Sequence, residues 1–238
     1  WTQARPGVQS MKDFYANNVG EINNKVTQFE RARDMINREG YSLDNPLKSK
    51  AELGAFAQEI MQKVRAGEVV GGVKGEGALG VWAAALARTI GERAQGYTCD
   101  IQARLMTYNF MAGKNVGLMV GAGKTSVFTM TTITNSFIMG DAFRGVLMAE
   151  ANIGQYAKGV YGEMFDIAGI KPVEITQDSM HGQNTMKETI SAFNGDIASG
   201  KKQIVLITNE VAGHLANQWS THEQGQQLKQ AMYRPNLR

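Results

Sequence analysis

Leu118-Met119-Val120-Gly121-Ala122-Gly123-Lys124-Thr125 is the stretch that decides how this chain is read. An apolar run from Val116 to Val120 predicts a strand. The residues from Thr125 to Met139 predict a helix with Met130, Ile133 and Phe137 on one side. Between them lies Gly-x-Gly-Lys-Thr. Glycines at 121 and 123 let the backbone turn tightly and approach phosphate oxygens without a Cβ clash. Successive N–H groups then point into one concavity, and the following helix adds the positive end of its dipole. In this pattern Lys124 reaches the β- and γ-phosphates, the Thr125 hydroxyl ligates Mg²⁺, and Ser126 offers a further hydroxyl to a phosphate. The expected ligands are ATP and Mg²⁺. The strict eight-residue pattern begins with Gly, whereas Leu118 occupies that position here. The plain structural alternative is a tight strand-to-helix turn with an exposed lysine.

Outward from the loop, short apolar runs alternate with amphipathic ones. Gly145–Ala149, Val173–Thr176 and Gln203–Ile207 read as further strands, and Asn152–Ala168 and Thr185–Ile197 as helices. This alternation predicts an α/β fold, a parallel sheet with helices on both faces. The first 66 residues read as a helical N-terminal segment. Val19, Ile22, Val26, Phe29, Ala32 and Ile36 recur at helical spacing with Gly40 as a C-terminal cap, and Leu53, Phe56, Ile60 and Val64 mark a second helix. Residues 67–80 are glycine-rich and read as a flexible linker. Another helix is expected from Trp82 to Ile90. Residues 81–220 form the expected nucleotide-binding domain, and 221–238 a polar tail.

The composition is that of a soluble globular protein: 238 residues, 43% hydrophobic and 20% charged. A net charge of +3 does not mark a dedicated nucleic-acid or membrane-surface binder. The single cysteine, Cys99, excludes an internal disulfide and fits a cytosolic, reducing location. No apolar run has transmembrane length. Because the chain starts at Trp1 and ends at Arg238, it reads as a fragment of something longer.

From Gly80 onward the order of features resembles the first nucleotide-binding domain of the SecA preprotein-translocase ATPases. Four pieces carry the resemblance. They are Ala83 to Gln102, with its Asp100-Ile101-Gln102 element; the loop Gly121 to Thr125; Gly145-Val146-Leu147-Met148 with Asn152 and Gly169-Ile170; and Thr208-Asn209-Glu210. The resemblance implies that Gln102 reads the adenine edge, for which a side-chain amide both donates and accepts. It implies a motor that couples ATP hydrolysis to movement of a polypeptide through a membrane channel, from a cytoplasmic, peripheral position. Its departures are also plain. The family's loop has Thr and Glu where this chain has Val120 and Ala122. Cys99 stands where the family tends to have an aromatic near the base. Val211-Ala212-Gly213-His214-Leu215 replaces the family's aromatic and acidic continuation.

The family's Asp-Glu-x-Asp string, which holds Mg²⁺ and polarises water, is absent, and the chain ends before a second RecA-like domain with its arginine finger. The catalytic residues are therefore unassigned, and the expectation is ATP or ADP binding without steady turnover. Two other readings compete: a helicase-type nucleic-acid remodeller, ranked lower because aromatic and arginine residues are not concentrated in the strand-contact positions, and a catalytically silent nucleotide-binding or scaffolding module. Asp178, Ser179 and His181 do not make a triad, since such members converge in space rather than in sequence. His181, His214 and His222 lack metal-ligand spacing. The thirteen methionines read as core filler, and Lys201-Lys202 as a solvated turn.

Overall fold

The computed structural model describes residues 6–99, 124–140, 144–149, 159–175 and 202–208, with 223 and 226. Helix α1 spans Pro6–Arg38. Its C-terminal half docks through Ala32 and Ile36, while Val19 and Val26 further up stay exposed. The helix ends as its sequence predicts. Gly40 takes a φ of +80°. Its N–H donates to Asn37 O at 3.0 Å, and Tyr41 N–H donates to Ile36 O at 3.1 Å, a Schellman closure. Helix α2, Lys50–Arg65, starts on a complete capping box between Ser49 and Glu52. It buries Leu53, Ala57, Ile60, Met61 and Val64. Phe56 stacks on Tyr41 with ring centroids 4.3 Å apart.

Within residues 67–80, residues 70–73 form a tight turn and Ala78 begins the next helix. Gly71 and Gly72 have consecutive positive φ angles, +57° and +74°, as a type I′ turn requires. Val73 N–H donates to Val70 O at 3.0 Å. Both valines are buried, and Gly71 lies against Met35 and Trp82. The two branched side chains anchor the turn in the core, a role that a search for longer apolar periodicity overlooks.

Helix α3, Ala78–Gln95, is the centre of the molecule. It packs against α1 and α2, and also against α4 (Lys124–Met139) and α5 (Val160–Ala168). Ala83, Ala84, Ala85 and Ala87 are buried; small side chains let neighbours approach from several sides. Two glycines mark the closest approaches. A Cβ on Gly91 would lie 2.8 Å from Met130 Sδ, and one on Gly54 would lie 2.6 Å from the Ile167 carbonyl oxygen.

Three strands, β1 (Arg144–Ala149), β2 (Ile170–Ile175) and β3 (Lys202–Thr208), form one parallel sheet in the order β1-β3-β2. Val146 pairs with Val205 on one side of β3, and Val173 pairs with Val205 on the other. Buried Lys202 at the start of β3 lies over the Phe137 ring, 4.9 Å from its centroid, and reaches Gln58 Oε1 at 3.4 Å. The polar Lys201-Lys202 pair thus has one member inside the fold.

The expected fold class needs correction. An α/β domain organised by a parallel sheet with helices on both faces is not what the described residues build, because their architecture is mainly helical. One buried cluster runs from Ala32 through α2, α3, α4 and α5. Of the sheet side chains described, Ile170 and Leu206 join it. The physical reason lies in the first 95 residues. Their apolar faces close on alanine-rich α3, so helix-on-helix packing forms the core and the three strands sit beside it. The expected strand Val116–Val120 and the helix Thr185–Ile197 lie outside the described residues. Among the described residues no helix is long and apolar enough to cross a membrane.

Candidate functional site

Helix α4 begins at Lys124, immediately after Gly121-Ala122-Gly123. The first turn of any α-helix leaves N–H groups without intrahelical partners. An acidic residue is favourable there, because the macrodipole favours negative charge; α2 and α5 carry one, while α1 and α3 do not. The first turn of α4 contains no acid and starts with a lysine. A cation at that end opposes the dipole, so its placement disfavours the empty helix and suits an anion bound before it.

Thr125 is half-buried, and its carbonyl accepts from the Thr129 hydroxyl at 2.9 Å. Its hydroxyl is the kind of hard oxygen donor that Mg²⁺ takes. Among the described residues no group of three His, Cys, Asp or Glu could hold a metal ion. Gly121, Ala122, Gly123 and Gln102 lie outside the described residues, as do Asp178, Ser179, His181, His214 and His222.

The Ser126 hydroxyl is engaged by α3. Ser126 is buried, and its hydroxyl accepts from Gln95 Nε2 at 2.9 Å. Gln95 is near the end of α3. The same amide nitrogen lies 3.2 Å from Gly91 O and 3.5 Å from Cys99 Sγ, and Gln95 Oε1 accepts from the Tyr97 hydroxyl. Cys99 is fully buried. Burial, and then the negative charge of Glu92, hold its thiol above the usual thiol range, which keeps it protonated and unreactive. Burial likewise pushes the Tyr97 phenol up.

One turn back along α3 is a buried ion network. Glu92 is fully buried and receives Arg33 of α1 at 2.7 Å and Arg88 at 2.8 Å. Arg33 also donates to the Thr89 hydroxyl at 2.8 Å, and Arg88 lies over the Phe29 ring at 6.0 Å. Glu92 Oε1 further accepts the Cys99 N–H at 3.4 Å. Glu92 therefore connects α1 to the chain leaving α3 toward Gln102, while Gln95 connects α3 to the start of α4. The sequence carried a signal for this: Arg88 and Glu92, four apart, interrupt an otherwise apolar alanine-rich helix. A charge pair inside such a run is either exposed or buried with partners.

A second concavity lies between α2 and α5. It has a volume of about 490 Å³ and is lined by Lys50, Gly54, Gln58, Asp166 and Gly169 among others. It is not near Lys124 in sequence or by any contact described. Comparison with protein-family models, with curated proteins and with solved structures finds no match to this chain.

Proposed function

We propose that this chain binds ATP with Mg²⁺ through Gly121-Ala122-Gly123-Lys124-Thr125, as the nucleotide-binding part of a SecA-like motor ATPase acting on polypeptides. The observation that carries the proposal is that helix α4 starts at the lysine of the motif, with no acid in its first turn. Lys124 supplies charge to the terminal phosphates, and the N–H groups that open a helix supply directional donors. Bound Mg²⁺ would neutralise phosphate charge, with Thr125 as its ligand from this chain. Gln102 reads the base, and the protein works on the cytoplasmic side of a membrane. The acidic string that polarises water in such motors is not among these residues, so the proposal is one of nucleotide binding.

The test is titration of a fluorescent ATP analogue in the presence of Mg²⁺, with wild type and Lys124→Ala. Hydrogen bonds to charged groups are worth roughly 1.5–3 kcal/mol each. Loss of the lysine should therefore weaken binding by about 10–150-fold. Equal affinity in the two proteins, or no binding by wild type, would remove the proposal.

A further inference from the structure

We infer that Gln95 is a positioning residue for the nucleotide site: it fixes where the first turn of α4, which carries Lys124 and Thr125, stands against α3. The inference rests on the proposed nucleotide site and adds a residue that the motif does not contain.

Two contacts set α4 on α3. Gly91 faces Met130, and one turn further along α3 Gln95 faces Ser126. The partner numbers fall as the α3 numbers rise, so the helices run antiparallel, and the end of α3 meets the start of α4. The Gly91 contact is a backbone-to-thioether approach. Methionine is flexible and fills space without specifying it. The Gln95 contact is different in kind. Its amide nitrogen donates to Ser126 in the first turn of α4, and its oxygen is taken by Tyr97. Both ends of the amide are thus held, and the fit of a directional bond depends on position.

An apolar pair at these positions would pack the two helices about as well, since replacing both members of a buried hydrogen bond by apolar groups is often close to neutral for stability. What the polar pair adds is a single preferred register, the use for which satisfied buried polar groups are best suited. Ser126 lies two residues from Lys124. A shift of that first turn carries the Lys124 and Thr125 backbone with it. Glu92 accepts the Cys99 N–H, so the end of α3 also holds the short segment that follows it.

The test compares Gln95→Met, Ser126→Ala and the double variant, reading chemical denaturation and affinity for a fluorescent ATP analogue with Mg²⁺. Each single change leaves a polar group without its partner, so each lowers stability. The double variant removes both and recovers stability toward wild type. With Gln95 as a positioning residue, affinity stays about tenfold weaker in the double variant although stability returns. A merely structural role predicts that affinity returns with stability, and that result would overturn the inference while leaving the nucleotide site standing. If wild type itself fails to bind the analogue, the site proposal falls and this inference falls with it. Should Gln95→Met not fold, Ser126→Ala alone still decides, since unchanged affinity in that variant also overturns the inference.

Discussion

Helices α2 and α4 are each 16 residues long, yet they begin in opposite ways. The start of α2 is complete in itself. The Ser49 hydroxyl accepts from Glu52 N–H at 3.2 Å, and the Glu52 carboxylate accepts from Ser49 N–H at 2.8 Å. Its acid is at the positive end of the dipole, and Lys63 and Arg65 are at the negative end. Helix α4 has no acid in its first turn, no base in its last, and a lysine as its first residue. Its placement comes instead from the side, through Gln95 and the close approach at Gly91. The first helix start is made for stability. The second opens on a lysine with no acid in its first turn, the arrangement that the proposed anion site calls for.

The largest effect expected from breaking this comparison comes from the frame that holds α4. Glu92→Ala leaves Arg33 and Arg88, both mostly buried, without their carboxylate. The loss should be about 3–5 kcal/mol by chemical denaturation. A loss below about 1 kcal/mol would mean that the network is solvated and does not brace the end of α3. Next is the α2–α5 contact. Gly54→Ala drives a Cβ toward the Ile167 backbone carbonyl, and overpacking of this kind costs roughly 1–3 kcal/mol. Gly91→Ala should cost less, because the facing atom belongs to a methionine side chain that can move. Equal losses at the two sites would contradict that ranking.

Smaller still, and more informative, are the two helix starts. Ser49→Ala should lower stability by about 1 kcal/mol. Lys124→Ala should not lower the stability of the ligand-free protein and should raise it slightly, by about 0.3–1 kcal/mol, because it removes a cation from the positive end of a dipole. The smallest effect is that of pH on the α2 cap. Hydrogen bonds from Ser49 hold the Glu52 carboxyl below its usual range. A carboxylate depressed in the folded state adds stability that is fully present above the ordinary carboxylate range and is lost as pH falls through the depressed folded value. Below the ordinary range, wild type should therefore converge on Glu52→Ala in thermal melts. A difference between them that is unchanged on acidification would contradict the cap assignment.

Much of the helical part was legible in the sequence. Of the six apolar positions read on α1, Ala32 and Ile36 are buried while Val19 and Val26 are exposed; the Gly40 stop and the Met130, Ile133 and Phe137 face of α4 follow from cap chemistry and period, which are local. The strand segments Gly145–Ala149 and Gln203–Ile207 were also readable from their apolar runs. What could not be read was how the elements join. Nothing local says that Ala83, Ala84, Ala85 and Ala87 make α3 the hub of a helical core, or that two valines around Gly71-Gly72 anchor a turn that composition alone marks as a linker. The site divides in the same way. Lys124 and Thr125 were visible because the motif is contiguous. Ser126 was assigned to a phosphate by adjacency, while its side chain is placed by the helix period, facing α3. Gln95, Glu92 and Arg33 converge from separate helices, and no spacing announces them.

The most direct test of the central claim measures thermal unfolding of wild type and Lys124→Ala, each with and without saturating ATP and Mg²⁺. The account predicts that nucleotide raises the unfolding temperature of wild type and leaves that of the variant nearly unchanged, while the ligand-free variant is as stable as wild type or slightly more so. A ligand-free variant less stable than wild type, or a variant that nucleotide stabilises as much as wild type, would show that Lys124 serves the fold and not a phosphate.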